Sequence, residues 1–296
     1  MPSTPINAAE PHKMPHGFRG FMPLQDCKQP TLRQRGAAIG EASGADGSRL
    51  DDHDVAYPVA TQGEDPMVLA SIFDASTAIA IWTRTLEYKR DHGAGNADGP
   101  SDVFAAIASY ANALITQKTA ATSATAVTSS WRLQRVIALD EAHTQLEQIM
   151  PDLIGFSQQR RRFIQDIADL MDMLGILMDC RHIGLRLAIL QHSMCPRFHT
   201  DPILCRLLVT YQGAGTQWLH AEGLGADQRP LAAAQLPDSA ISELKPLDVA
   251  IIKGVHWQRS IDGAAAWQHP PCWHRSPTCP QPRLLLSLDP IADDEG

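Results

Sequence analysis

CPRFHTDPILCRLLVTY, residues 195–211, is the most informative stretch of the chain. Its first half carries a histidine and an aspartate two apart, His199 and Asp201. In an extended backbone, side chains two apart point to the same face. An imidazole nitrogen and a carboxylate oxygen therefore converge on one point without a special turn, and that donor pair suits a divalent first-row metal. The second half, CRLLVTYQ, is a short apolar run with the length of a buried strand.

The same texture recurs on either side. RHIGLRLAIL, DVAIIKG and RLLLSLD are short, apolar and bounded by turn residues, while GAG (213–215), LPDS (236–239) and SPTCPQP (276–282) are loop chemistry. Several short strands separated by such loops predict a β-sandwich or jelly roll over 180–290. Upstream the period lengthens. In SQQRRRFIQDIADLMDMLGILM (157–178), Phe163, Ile167, Leu170, Met171, Leu174 and Leu177 or Met178 recur at helical spacing, with Ser157 as a candidate N-cap. Arg160, Arg161 and Arg162 read as a solvated face of that helix. Asp102 leads a second helical stretch through Val103, Ile107, Tyr110, Ala111 and Leu114, and DPMVLASIF opens with the acid-then-proline signature of a helix start. AIAIWTRTL (78–86) is ambiguous: Ile79, Ile81 and Thr83 alternate with Ala80 and Trp82, which suits a strand. RDHGAGNADGPSD (90–102) reads as a loop. Residues 1–60, rich in Pro, Gly, Ala and Asp, predict an irregular or disordered leader. The expected organisation is α+β: a leader over 1–60, a helical part over 61–179 packing on the sheet, and a jelly-roll metal-binding domain over 180–290.

Composition narrows the function classes. The chain has 296 residues, a hydrophobic fraction of 44% and a formal net charge of −8. The first two are ordinary for a globular protein with a real core. The negative charge argues against nucleic acid as a main partner, because phosphate binding needs a basic face. Six cysteines in a chain of this length do not make a disulfide scaffold, and no Cys-x-x-Cys pair suggests a zinc ribbon. No apolar run approaches the ~18–20 residues of a membrane span, and the first residues lack the apolar core of a secretory signal. The expectation is a cytoplasmic protein with free thiols, no membrane partner and a small-molecule or protein substrate.

A metal site needs a third ligand. The best candidate is His274 in CWHRSP, just before the last strand, because a jelly roll brings strand ends far apart in sequence to one mouth. Two imidazoles and a carboxylate on one face leave three positions open for other ligands. Nine residues beyond His274, Arg283 opens RLLLSLD and shares a strand face with Leu285, Ser287 and Asp289, while Leu284, Leu286 and Leu288 take the other. An inward guanidinium needs a partner for its charge, and a ligand carboxylate matches its fork.

The ordered set His199-x-Asp201, His274 and Arg283 resembles the Fe(II)/2-oxoglutarate-dependent dioxygenases, whose fold is a double-stranded β-helix of the jelly-roll kind. The resemblance implies His199, Asp201 and His274 as iron ligands, Arg283 as the anchor for the far carboxylate of 2-oxoglutarate, and Tyr211 as a hydrogen-bond donor to that carboxylate. It departs at Leu285, where many members carry serine. CPRFHTD, TYQGAGTQWL, DVAIIKG and HRSP…RLLLSLD also resemble an uncharacterised bacterial family of unknown function. Members of that family sit near zinc-responsive and metal-handling genes, which implies a link to metal homeostasis.

Other readings stand beside this one. A non-catalytic protein could hold Zn at the same three residues. A mixed zinc site could use Cys195, His199, Cys272 and His274, since thiolates and imidazoles both favour Zn. Lys253 is an alternative anion anchor. Trp218 and Trp257 could line a pocket mouth, although core packing is the simpler role for both.

Overall fold

The computed structural model of the protein describes residues 59–84, 100–123, 131–257, 270–278 and 280–292. The leader expected over 1–60 lies outside these residues except for Val59 and Ala60, as do positions 90–99 of the expected loop.

The strand-like runs downstream of residue 180 all form strands. They are β4 (His182–Leu190), β5 (Cys205–Gln212), β8 (Val249–Lys253) and β10 (Arg283–Ile291). Shorter strands between them are β6 (Gln217–Leu219), β7 (Ile241–Glu243) and β9 (His274–Arg275). Upstream lie β1 (Val59–Gly63), β2 (Thr77–Trp82) and β3 (Arg132–Ala138), and the helices α1 (Pro100–Ser123), α2 (Ala142–Ile149) and α3 (Ser157–Met178). Pro66–Phe73 is a 3-10 helix capped as its sequence suggests, with the Asp65 side chain accepting from the Met67 amide.

The segment 61–179 is therefore mixed rather than helical. β2 follows from its alternating, β-branched sequence. β3 is an edge strand with only Ile137 buried, so its sequence carries little alternation to read. Two smaller expectations also shift. Ser157 is the first helical residue, and Phe156 takes the cap position without a side-chain bond. Arg160 is not simply solvated: its guanidinium donates to the carbonyls of Glu147, Met150 and Pro151, closing the end of α2.

Seven strands form one mixed sheet in the order β1-β2-β8-β5-β10-β4-β3, and three form a small sheet, β7-β6-β9. Only β1 and β2 run parallel. An antiparallel bridge between His199 and His274 adds the residue-199 segment beside β9. From β4 onward, with that segment taken as the second in chain order, the large sheet holds the first, eighth, third and sixth, and the small sheet the second, seventh, fourth and fifth. This interleaving resembles a jelly roll.

The large sheet buries both faces. Leu284, Leu286 and Leu288 of β10, with Leu207 and Val209 of β5, pack against Phe163, Ile167 and Met171 of α3 and Ile107 and Leu114 of α1. Each such side chain, fully buried, contributes about 1.5–3 kcal/mol. On the other face, Leu208, Ala250 and Ile252 meet Trp218, Leu244 and Cys272 from the small-sheet side. Period-two alternation thus gives every central strand a helix-facing and a small-sheet-facing row. No helix among the described residues is long and apolar enough to cross a membrane.

Candidate metal centre

His199 and His274 meet through their backbones. Each amide donates to the other's carbonyl at 3.0 Å, the reciprocal exchange of an antiparallel hydrogen-bonded pair, so both side chains project to one side. Their ring centroids are 4.5 Å apart. Asp201, two residues on, is fixed by its own backbone: its carbonyl accepts from the Val255 amide at 2.9 Å. That contact depends on Gly254, where an added Cβ would stand 2.1 Å from the Ile203 carbonyl oxygen and 2.8 Å from that of Asp201.

The three side chains converge. His199 Nε2 lies 3.6 Å from Asp201 Oδ1, and His274 Nε2 lies 3.6 Å from Asp201 Oδ2. One ligand atom from each residue lies within 4.8 Å of the others, and this is the single such group among the described residues. Asp201 and His274 are buried, whereas His199 keeps 28% of its side chain exposed and forms the solvent side of the centre.

The tautomers follow from what surrounds the rings. His199 Nδ1 lies 3.1 Å from the Arg197 carbonyl oxygen, and His274 Nδ1 lies 3.1 Å from that of Cys272. A carbonyl only accepts, so each Nδ1 carries the proton and donates. Each ring thereby turns its Nε2 towards Asp201. Burial lowers the His274 pKa below its ordinary value, against the pull of Asp201, so this imidazole is neutral. Burial alone would raise the Asp201 pKa, but the guanidinium charges beside it, Arg206 first, bring it below the ordinary carboxylate value. Two imidazole Nε2 atoms and an ionised carboxylate therefore face one another at 3.6 Å, too far apart for hydrogen bonds.

The donor set fits a metal ion. Two ligands about 2.1 Å from one ion at roughly tetrahedral or octahedral angles stand about 3.0–3.4 Å apart. Each imidazole is already close to that distance from one carboxylate oxygen, and the group as a whole, within 4.8 Å, must draw together to share one ion.

A second layer was not read from the sequence. Arg206 of β5 reaches Asp289 of β10 with two parallel bonds, Nε to Oδ1 at 2.6 Å and Nη2 to Oδ2 at 2.8 Å. Its remaining nitrogen, Nη1, donates to Asp201 Oδ2 at 2.5 Å. Burial opposes this guanidinium's charge, but Asp289 and Asp201 more than restore it. The available signals were an arginine inside an apolar strand run and the placing of Asp289 on the Arg283 face; only the strand register makes the two residues neighbours.

The remaining candidates separate. Arg283 is buried on the small-sheet side, with Nη2 within 3.2 Å of Thr216 Oγ1 and 3.4 Å of Thr210 Oγ1. Gly213, with φ +90°, turns the chain over it: a Cβ there would stand 2.7 Å from Arg283 Cβ. Tyr211 is not brought to the site. One residue out of phase with Thr210, it points to the helices, where its hydroxyl donates to Asp166 Oδ2 at 2.7 Å and Asp166 pairs with Arg84. Lys253 also points away from the triad: Nζ donates to the Asp74 carbonyl at 2.7 Å and lies 5.2 Å from the centre of the Trp257 ring. Cys195 and Cys272 contribute no sulfur to the ligand group, and burial pushes the Cys272 thiol pKa far up, as expected of an inert packed thiol. Trp218 and Trp257 are both buried in cores.

The fold is similar to that of several oxygenases. A rice dioxygenase for auxin oxidation aligns with a TM-score of 0.46 and 14% identity, covering 81% of this chain and 84% of that one. The Arabidopsis thaliana dioxygenase for auxin oxidation 1, solved as a complex with 2-oxoglutarate, gives 0.48 and 9%, covering 81% and 94%. A Pseudomonas putida prolyl-4-hydroxylase gives 0.36 and 12%, covering 77% and 100%. No curated protein matches the sequence. One family model does, over residues 63–289, and the chain belongs to that family of proteins of unknown function, DUF1826.

Proposed function

We propose that the protein is a non-haem Fe(II) oxygenase that consumes 2-oxoglutarate and O₂ to oxidise a substrate in the cytosol. The observation that carries this reading is the convergence of His199 Nε2, His274 Nε2 and the Asp201 carboxylate, with one ligand atom from each within 4.8 Å of the others. Neutral nitrogens and one anionic oxygen suit Fe(II), and three protein ligands leave positions for cosubstrate and O₂. Iron held there would supply oxidative chemistry driven by decarboxylation of 2-oxoglutarate to succinate.

The chain's own groups have separable tasks. His199 and His274 present Nε2 because their Nδ1 protons are held by backbone carbonyls. Arg283, buried with the Thr210 and Thr216 hydroxyls beside it, offers a fork and two further polar groups for the far carboxylate of 2-oxoglutarate. Trp218, Leu208, Ala250 and Ile252 keep water from the space between the sheets.

Purified protein loaded anaerobically with Fe(II) tests the reading. The expected result is one metal per chain, lost in His274→Ala, with 2-oxoglutarate binding seen by calorimetry and succinate released on admitting O₂. Arg283→Ala should weaken 2-oxoglutarate binding at least about tenfold, the scale of one lost charged contact. Tight zinc with no 2-oxoglutarate binding and no succinate would overturn the oxygenase and leave a zinc-holding protein.

A further inference from the structure

The Asp201 carboxylate has two oxygens, and either or both could bind a metal. A carboxylate that chelates through both occupies two positions on the ion; one that uses a single oxygen occupies one and leaves more room for other ligands. What decides between the two modes is what holds the carboxylate from behind.

Here that group is Arg206. Its fork is spent on Asp289 through two bonds of 2.6 and 2.8 Å, which fixes the plane of the guanidinium. The third nitrogen is thereby aimed at Asp201 Oδ2, 2.5 Å away. Register makes this possible. Leu207 stands opposite Leu288, so Arg206 and Asp289 are the next cross-strand pair on the small-sheet face of the large sheet. Both side chains are only slightly exposed, at 15% and 12%. Arg186 of β4 points to the same face, opposite Ser287.

We propose that Arg206, locked by Asp289, is a positioning residue that holds Asp201 by one oxygen so that the carboxylate meets a metal in single-oxygen fashion. The inference rests on the metal-centre reading. It adds that the donor geometry of the centre is set from the large sheet, by residues that touch no metal themselves. Lysine cannot do this work. It keeps the charge but lacks the planar fork, so it cannot bond Asp289 twice and Asp201 once at fixed angles. Asparagine at 289 removes the anchor and leaves Arg206 to draw more strongly on Asp201, in competition with the ion.

Titration of the full-length protein with Co(II), followed by visible absorption, separates the claims without any turnover. Wild type is expected to bind one Co(II). Arg206→Lys and Asp289→Asn should each bind about tenfold more weakly, the usual scale for losing a group that orients a ligand. Their Co(II) band pattern should change, and Asp289→Glu should recover most of the affinity. Because Asp289→Asn leaves the buried Arg206 charge without its partner there and could prevent folding, the double variant Arg206→Gln/Asp289→Asn, which removes both charges together, should give the same weakening and spectral change. Wild-type affinity with a wild-type spectrum in Arg206→Lys, or in the double variant, would overturn the positioning role while leaving the metal centre intact. Co(II) binding that survives His274→Ala unchanged, or is absent from wild type, would overturn the centre itself and the positioning role with it.

Discussion

The two faces of the large sheet are built from the same strands and do different things. On the helix side, β5 offers Leu207, Val209 and Tyr211, and β10 offers Leu284, Leu286 and Leu288, all inside one apolar core with α1 and α3. On the other side, the intervening residues of the same strands are Arg206, Leu208 and Thr210, and Arg283, Leu285, Ser287 and Asp289. Both faces are buried, but one is apolar in these strands, and the other mixes a smaller apolar cluster with charged and hydroxyl groups. A one-residue slip in either strand would exchange the two sets, so the apolar face fixes the register and thereby aims the polar face. The clear division is that changes on the helix side should alter stability but not metal affinity, while changes at the polar groups of the small-sheet side should alter metal affinity whatever they do to stability.

The largest expected effect is on the packed side. Phe163 is fully buried and lies between the rings of Tyr110 and Tyr211, with centroid distances of 5.0 and 4.6 Å. Phe163→Ala should cost about 4 kcal/mol of unfolding free energy in a denaturant titration. The folded fraction should still bind Co(II) with wild-type affinity. A matching fall in affinity would mean that the two faces are mechanically coupled.

Gly254 sharpens the comparison from the other side, because it touches the site through the backbone. Gly254→Ala forces a Cβ against the carbonyls of Ile203 and Asp201. A stability loss of about 3 kcal/mol is expected, together with a drop in Co(II) affinity of roughly tenfold, since Asp201 must move. Lost stability with unchanged affinity would show that the 201–203 segment can shift without disturbing the carboxylate.

How much of this was legible in the sequence follows the same division. The strands β4, β5, β8 and β10 and the helix α3 were readable because a burial period of two or of 3.6 is written directly in the residue types. The convergence of His199, Asp201 and His274 was readable because their spacing, combined with the expected strand order, brings the three side chains together in a jelly roll. β3 was not, since an edge strand with one buried residue leaves almost no period. The Arg206–Asp289 pair was hidden because its members lie on strands whose register is a tertiary fact. Tyr211 failed for a simpler reason: spacing along the chain was read without parity. Ten residues after Asp201 it stands on a strand, but one step from Thr210, which puts it on the face with Val209 rather than beside Arg283.

That parity gives the next test. Tyr211→Phe removes only the hydroxyl that donates to Asp166, and Asp166 keeps its pairing with Arg84. The expected loss is about 1.5 kcal/mol, the lower end for a hydrogen bond to a charged group, with no change in 2-oxoglutarate binding by calorimetry. A cosubstrate affinity that falls while stability holds would return Tyr211 to the site.

The smallest effect at neutral pH, and the one with the clearest sign, belongs to Lys253 at the end of β8. Burial lowers its pKa from the ordinary 10.5 to about 8, with Asp74 opposing the shift. Below about pH 8 the ammonium is charged in both the folded and unfolded chain. Between there and 10.5 the folded chain gives up its proton while the unfolded chain keeps it, so the unfolded state binds more protons and stability rises with pH. Lys253→Met removes that titration. At pH 7 its stability should stay within about 1 kcal/mol of wild type, because the relieved burial of a charge offsets the lost bond to the Asp74 carbonyl. As pH climbs through the window, wild type should gain on the variant in matched denaturant titrations. Parallel curves would mean that Lys253 keeps an ordinary pKa in the fold, and that a buried cation on the packed face costs less than its surroundings imply.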